Sequence, residues 1–211
     1  MKVSMSHYPP AGLRALLLSL SWVAASLLSL HVKAELALFD EARTLPPLPL
    51  IDHRGEKMRL DQVNNSQHLV FLGYTQCPDV CPVHMAHLRQ MMKTLEQQGA
   101  ELPAVTFISV DPDRDTPEVL ANYVAQFDPR FVGATTSGSY LKSLQDSLDA
   151  HVVVRKKHDH DHYQMLHQTR IYLLNDKGQW VGQFIPPFNG EQLAAALTGL
   201  QPETVQTAVN E

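Results

Sequence analysis

The chain has 211 residues, 44% of them hydrophobic and 18% charged, which is the composition of a globular protein with one sizeable core. Without the three basic residues of the first 34, 14 Lys and Arg remain against 22 Asp and Glu, a formal charge of −8. This acidic balance argues against a nucleic-acid-binding protein. Two cysteines allow only one disulfide, so a framework of several bridges is excluded as well.

The N-terminal segment has the features of an export signal. Lys2 and Arg14 precede the apolar run 15–30, and residues 32–34 offer small side chains in the pattern that signal peptidase recognises. No acidic residue occurs within residues 1–34. Because the apolar run is long for a signal, an uncleaved single-span membrane anchor is the alternative. We therefore expect a signal peptide or a membrane anchor here, and an exported domain after it.

The next segment, residues 35–50, contains three prolines and is predicted to be an extended tether. It leads into a domain predicted over residues 51–203, with a short C-terminal tail over 204–211. Near the start of this domain, residues 53–56 are predicted to form a turn between two short strands.

Strands and helices alternate in the first part of the domain. The continuous apolar run Leu69–Tyr74 predicts a buried central strand, and apolar residues at three- and four-residue steps then predict a helix that ends at Gly99. A second buried strand is predicted over Val105–Val110. Thr116-Pro117-Glu118 has the residues of a helix start, namely a capping hydroxyl, a proline at the first position and an acid in the first turn.

The second part of the domain has a different order. We predict a short helix at 140–148 and a strand at 151–154. Two strands joined by a turn follow at 170–174 and 179–184, and a closing helix at 191–200. Alternating strands and helices followed by a hairpin and a helix indicate an α/β fold with a mixed central β-sheet flanked by helices.

Cys77 and Cys81 lie between the first central strand and its helix. Four residues make about one helical turn, and Cα atoms at that spacing are about 6 Å apart, within the range that a disulfide tolerates. Two thiolates this close also bind soft metal ions such as Cu(I) or Zn(II). A static disulfide would close a very short loop and stabilise the fold little. Thioredoxin-type oxidoreductases usually have two residues between their cysteines, and the three found here favour a metal ion.

Three motifs together resemble one known family. The segments Gly73–Pro82 (GYTQCPDVCP), Ser109–Pro117 (SVDPDRDTP) and Phe127–Phe131 (FDPRF) are similar to those of the Sco/SenC copper proteins. The resemblance extends over roughly residues 45–200. It implies a thioredoxin-like fold, an exported or membrane-anchored protein, and a role in assembling the copper centre of cytochrome c oxidase.

The resemblance also implies a set of metal ligands. One copper ion per chain, as Cu(I) or Cu(II), is expected between Cys77, Cys81 and a third ligand, His167. The family's metal-binding histidine lies five residues before an aromatic residue, and Tyr172 fits that step. The family often has an acid before this histidine, where this chain has a leucine, so support of the imidazole by a neighbouring carboxylate is in doubt. Asp111, at the end of the second strand, is expected to support the site or only to cap its loop.

The expected partner is the copper-bearing subunit of cytochrome c oxidase, together with a thiol reductant protein. The expected location is the bacterial periplasm, either soluble or attached to the inner membrane through residues 15–30. Two other functions remain open. In a thiol-disulfide oxidoreductase Cys77 would attack and Cys81 would resolve, as a redox-active disulfide, whereas a redox or copper sensor would signal through protein contacts. The metallochaperone hypothesis predicts a carrier rather than an enzyme.

Other residues have several interpretations. The alternating tract His158–His162 could pre-capture copper, hold zinc loosely or be a solvated polar loop. His84 and His87, three apart on the helix after the cysteines, are best explained as surface histidines. Asp113–Asp115 are expected to form ion pairs in the loop and the entrance of the next helix, and Tyr123 is expected to pack in the core.

Overall fold

The computed structural model describes residues 35–63, 65–156 and 163–200. The predicted signal or anchor, the tail 204–211 and the tract His158–His162 therefore lie outside the described residues. At some residues of one β-hairpin, His167 among them, the structure describes the backbone and not the side chains. Within the described ranges, no helix combines the length and the hydropathy that crossing a bilayer requires.

The described chain contains ten strands, four α-helices and one short 3-10 helix, Leu60–Gln62. The strands are β1 Glu35–Arg43, β2 Leu50–Asp52, β3 Lys57–Met58, β4 His68–Gly73, β5 Ala104–Ser109, β6 Val132–Thr135, β7 Val152–Lys156, β8 Tyr163–His167, β9 Ile171–Leu174 and β10 Trp180–Ile185. The helices are α1 Val80–Gln97, α2 Pro117–Ala125, α3 Gly138–Ser147 and α4 Gly190–Thr198.

Eight of these strands form one mixed sheet in the order β1-β10-β9-β4-β5-β6-β2-β3. β4, β5 and β6 run parallel, and the remaining neighbours are antiparallel. β7 and β8 form a separate antiparallel hairpin, which we call the β7–β8 hairpin. The α/β fold with a mixed central sheet is confirmed.

β4 lies at the centre of the sheet because all six of its residues are apolar or buried. Parallel pairing with β5 sets Phe71 opposite Phe107, and the two rings have centroids 5.9 Å apart. α1 covers this face of the sheet with the apolar side that its sequence predicts, Met85, Leu88, Met92 and Leu95. α4 packs on α1 closely enough that a Cβ on Gly190 would lie 2.5 Å from the Cβ of Gln90.

The start of α2 is as predicted. Thr116 is the N-cap, and its side-chain oxygen accepts a hydrogen bond of 3.3 Å from the amide of Val119, with Pro117 at the first helical position. This cap fixes where the loop after β5 ends, and that loop borders the cysteines.

The predicted tether requires a correction. Residues 35–43 form β1, which pairs with β10 along the main sheet, and only residues 44–49 between β1 and β2 are irregular. The guanidinium of Arg43 lies 4.1 Å from the centroid of the Phe39 ring and 4.9 Å from that of Trp180. The prolines that suggested a tether all follow β1, so they do not interfere with its pairing.

Besides β1, two strands were not predicted, β6 and β8. β6 is only four residues long, and its hydrogen bonds to β5 and β2 stabilise it regardless of its weak sequence pattern. β8 lies in a segment that the sequence suggested to be a loop, and it is a strand because β7 pairs with it along its whole length.

Candidate metal centre

The two cysteines lie at the junction of β4 and α1, as the sequence predicts. Cys77 is in the turn, where its amide donates to the carbonyl of Tyr74 at 3.2 Å, and Cys81 is the second residue of α1. Both are thiols rather than a disulfide, and their sulfurs are within hydrogen-bonding reach of each other. The pair can therefore close to a disulfide or take up an ion without a large movement of the backbone.

The two sulfurs have different surroundings. Cys77 is 9% exposed and Cys81 is 0% exposed. The Cys81 sulfur packs beneath the end of β4, where a Cβ on Gly73 would lie 3.1 Å from it. The hydrogen bond to Cys77 and burial raise the pKa of the Cys81 thiol, so Cys81 holds its proton more firmly than a free thiol does. Cys77 is thus the sulfur that an incoming partner or ion meets first.

A buried carboxylate holds the residues before Cys77. Asp115 is 0% exposed and accepts hydrogen bonds from the amide and the hydroxyl of Thr75, at 2.9 and 2.6 Å. It also accepts one from the hydroxyl of Ser109 at 2.6 Å. The end of β5 and the loop after it are thereby tied to the cysteine loop.

The predicted supporting residue, Asp111, lies in the same loop and is 1% exposed. Its carboxylate forms an ion pair with the guanidinium of Arg114. Arg114 also donates to the side-chain oxygen of Gln76 at 3.1 Å and lies 5.9 Å from the centroid of the Tyr74 ring. Asp111 therefore acts on the cysteine loop indirectly, by positioning Arg114, which contacts Gln76.

Sequence reasoning missed the role of Asp115. The sequence suggested that Asp115 forms a loop ion pair with Arg114. In the structure Arg114 pairs with Asp111 instead, and Asp115 accepts from Thr75. The sequence did contain an indication, because Asp115 comes directly before the helix cap Thr116. A carboxylate that becomes buried at such a position needs a hydrogen-bond partner. Which residue would partner it could not be told before folding.

The third predicted ligand, His167, is the last residue of β8 and pairs with Val152. Its side chain lies outside what the structure describes. Two residues earlier on the same strand, the amide of Met165 donates to the hydroxyl of Tyr74 at 3.4 Å. The backbone of β8 thus passes beside the segment that leads to Cys77, which agrees with the predicted neighbourhood of His167.

Among the side chains that the structure describes, no group of three or more His, Cys, Asp or Glu is placed to hold a metal ion. The two thiols are two soft donors, and they suit Cu(I) or Zn(II) better than a hard cation. The donor set therefore fits a soft ion with Cys77 and Cys81 as two of its ligands.

Of two further residues, one departs from the sequence-based interpretation and one agrees with it. His84 is 7% exposed rather than on the surface, and its ring packs against Phe188 with centroids 4.8 Å apart. Tyr123 packs against Phe107, as predicted for a core residue, and burial raises the pKa of its hydroxyl.

Comparisons with known proteins identify related chains. The SCO1/SenC family model matches residues 39–201. A SCO2-like protein of Rickettsia prowazekii is 30% identical over 155 residues, which are 73% of this chain and 75% of that protein. The mitochondrial SCO2 homolog of Homo sapiens is 33% identical over 147 residues, 69% of this chain and 55% of that protein.

A solved structure is similar as well. The structure of Bradyrhizobium japonicum ScoI with copper bound superimposes with a TM-score of 0.66 at 30% identity, covering 74% of this chain and 98% of that one. Its fold is of the thioredoxin-like kind that the sequence predicts here. The extent of the family match, together with the cysteine pair at the β4–α1 junction, shows that the chain belongs to the SCO1/SenC family.

Proposed function

We propose that this protein carries one copper ion, bound by Cys77, Cys81 and His167, and delivers it to the copper-bearing subunit of cytochrome c oxidase. The observation that carries the proposal is the pair of thiols within hydrogen-bonding reach of each other at the β4–α1 junction. The strand that ends at His167 passes beside this junction. A similar protein, Bradyrhizobium japonicum ScoI, binds copper on the same fold. Cytochrome c oxidase assembly is the function attached to the Sco family.

The ligand chemistry supports copper. Thiolates are soft donors, and a histidine nitrogen as third ligand suits both Cu(I) and Cu(II). A structural zinc site has four protein ligands, whereas the proposed set of Cys77, Cys81 and His167 has three. A site with few ligands and one sulfur near the surface suits an ion that must leave again.

The different exposure of the two sulfurs supports stepwise transfer. Cys77 is 9% exposed against 0% for Cys81, and the exposed apolar side chains of Val80 and Val83, 37% and 48% exposed, follow it on α1. A partner that covers these two side chains would bring its own sulfur or nitrogen donors to the ion from the Cys77 side. Cys81, buried beneath β4, would release the ion last.

A second function, reduction of a partner's disulfide, has one specific observation in its favour. In the reductase mechanism an accessible thiolate attacks and a neighbouring protonated thiol resolves the mixed disulfide. Cys77 is the more exposed of the two, and the hydrogen bond to Cys77 together with burial raises the pKa of Cys81. The same chain could reduce the cysteines of the recipient before it delivers copper, with a thiol reductant protein restoring Cys77 and Cys81.

Export to the periplasm is part of the proposal and rests on the sequence of residues 1–34. The recipient's copper site must then be exposed on the same side of the membrane. Whether the apolar run 15–30 stays as an anchor decides whether delivery takes place at the membrane surface or from solution.

The proposal is tested by titrating the reduced domain, residues 35–211, with Cu(I) in competition with a chelator. One ion should bind per chain. Cys77→Ser and Cys81→Ser should each abolish tight binding, and His167→Ala should weaken it without unfolding the domain. His151→Ala is the matched control, since His151 is an exposed imidazole just before β7 and should change nothing.

Two results would contradict the proposal. Unchanged affinity in His167→Ala would remove this residue from the ligands. Tight binding that survives the loss of both sulfurs would move the site elsewhere, with His158, His160 and His162 as the next candidates. A disulfide-reductase assay on the same variants, with copper absent, would show whether reduction is the activity instead.

A further inference from the structure

The hydroxyl of Tyr74 lies between the cysteine loop and the β7–β8 hairpin. Tyr74 is 2% exposed and follows β4 directly. Its hydroxyl is hydrogen-bonded to the side chain of Cys77, and the amide of Met165 on β8 donates to it at 3.4 Å. A phenol has one hydrogen to donate and lone pairs to accept, so it donates to the sulfur and accepts from the amide at the same time.

This contact joins two parts of the fold that the main sheet does not connect. The β7–β8 hairpin is a sheet of its own, paired only within itself. Apolar packing of Val152 and Met165 against the core holds the hairpin down, but packing has no preferred direction. A hydrogen bond does have one, and the bond between Met165 and Tyr74 spans 91 positions in sequence.

A tyrosine at this position is costly unless its hydroxyl is used. Burying an unpaired hydroxyl costs about 1–3 kcal/mol in proteins, so a phenylalanine would fill the same space more favourably if the oxygen had no partner. Arg114 adds a second fixed contact, since its guanidinium lies 5.9 Å from the centroid of the Tyr74 ring. The ring is therefore held in place, and its hydroxyl is directed at both Cys77 and β8.

We propose that Tyr74 is a positioning residue that latches the β7–β8 hairpin, and with it the backbone of His167, to the sulfur of Cys77. His167 is two residues beyond Met165 on the same strand, which is a backbone distance of about 7 Å. Holding Met165 therefore limits how far His167 can move from the cysteines. The importance of this latch for the metal rests on the proposed function, since it matters only if sulfur and imidazole share an ion.

The latch predicts how the ion is released. Opening the hairpin would withdraw the third ligand while both sulfurs stay in place at the β4–α1 junction. Without the Tyr74 hydroxyl the hairpin should open more often, so copper should leave faster while the thiols remain in position. The cysteine loop itself keeps its anchors at Asp115 and Arg114, which do not involve the hydroxyl.

The test compares Tyr74→Phe with a matched control, Tyr172→Phe. Tyr172 on β9 is equally buried, and its hydroxyl has no hydrogen-bond partner among the described residues, so its removal breaks no hydrogen bond and should accelerate neither measurement. The first measurement is amide hydrogen exchange in the reduced, metal-free protein. In Tyr74→Phe the amides of Met165 and its β8 neighbours should exchange about two- to tenfold faster, the effect of losing one hydrogen bond. Amides of β4 and β9 should stay as protected as in the parent protein.

The second measurement is the rate at which a chelator removes Cu(I) from the loaded protein. Tyr74→Phe should release copper about two- to tenfold faster, by the same loss of one hydrogen bond, and Tyr172→Phe at the parent rate. Unchanged exchange at Met165 would overturn the latch, as would faster exchange that extends equally to β4 and β9. If the parent protein binds no copper, the proposed function fails, and the hydrogen-exchange result still decides whether Tyr74 holds the hairpin.

Discussion

Asp115 accepts hydrogen bonds from both the amide and the hydroxyl of Thr75, 40 positions earlier in the chain. A fully buried carboxylate thus holds the backbone two residues before Cys77. Because Asp115 also accepts from Ser109, its loss would deprive three donors of their acceptor, two on the partly buried Thr75 and one on the buried Ser109. The geometry of the cysteine loop therefore depends on a side chain that lies outside the loop's own sequence.

The first prediction concerns this carboxylate. Asp115→Ala should lower the free energy of unfolding by about 2–4 kcal/mol, because hydrogen bonds to a charged group are stronger than neutral ones and the donors on Thr75 and Ser109 lose their acceptor. Urea denaturation of the reduced protein measures this change. Asp113→Ala is the control, since Asp113 is an exposed carboxylate two residues away, and it should cost little. Equal effects of the two substitutions would show that the buried network does not hold the loop.

The second prediction concerns Gly73. A Cβ there would lie 2.6 Å from Cε2 of Phe107 and 3.1 Å from the sulfur of Cys81, so one of these groups must move. Gly73→Ala should destabilise the fold by about 1–3 kcal/mol, as overpacking in a core does. It should also displace the Cys81 sulfur, which is detectable as faster alkylation of this thiol.

Gly199→Ala provides the comparison for Gly73. A Cβ on Gly199 would meet its nearest atom, the carbonyl oxygen of Ala195, at 3.4 Å, an ordinary contact. This variant should be as stable as the parent protein. Thermal or urea denaturation of both variants, side by side, decides whether close packing at Gly73 is the cause, and a stable Gly73→Ala would contradict it.

The third prediction is a difference in thiol reactivity. In Cys81→Ser the remaining thiol, Cys77, should react readily with iodoacetamide, whereas in Cys77→Ser the remaining Cys81 should react at least about tenfold more slowly. Cys81 is fully buried, and burial by itself keeps the pKa of its thiol raised. Each pKa unit lowers the fraction of reactive thiolate about tenfold. Mass spectrometry over a time course gives both rates. Comparable rates would contradict the proposal that the ion leaves Cys77 first and Cys81 last.

The fourth prediction concerns stability at mildly acidic pH. His68 is fully buried on β4, its Nε2 is hydrogen-bonded to the hydroxyl of Thr106 at 2.8 Å, and burial lowers its pKa from 6.5 to about 4. Between these two values the unfolded chain binds a proton at His68 that the folded protein does not. The free energy of unfolding should therefore fall as the pH drops from about 6.5 to about 4, by about 3 kcal/mol in all for this residue.

The control for the pH dependence is the double variant His68→Leu with Thr106→Val. It removes the titrating ring and its partner together, so no buried hydroxyl is left unpaired. Urea denaturation at about pH 7.5 and about pH 5 should show a smaller loss of stability for the double variant than for the parent protein. An equal loss in both would mean that His68 is protonated in the folded state or does not contribute.

Much of the fold followed from local sequence patterns. The run of apolar residues before the cysteines, the periodic apolar side of α1 and the Thr116-Pro117 helix start each depend on neighbours within a few residues, and each is present as predicted. β1 and β6 were missed because their stability comes from distant pairing, β1 with β10 and β6 between β5 and β2. Strand pairing of this kind leaves little trace in a single sequence.

The same division holds for the site. The sequence by itself determined that two sulfurs lie close together, since two cysteines one helical turn apart at a strand–helix junction must present them on the same side. Only the tertiary structure decided that Cys77 is 9% exposed and Cys81 is 0% exposed, that Asp115 accepts from Thr75 instead of pairing with Arg114, and that β8 meets the hydroxyl of Tyr74. Spacing along the chain fixes which groups are neighbours within one element, whereas burial and hydrogen bonding depend on residues from several elements, which come together only when the whole sheet and its helices have formed.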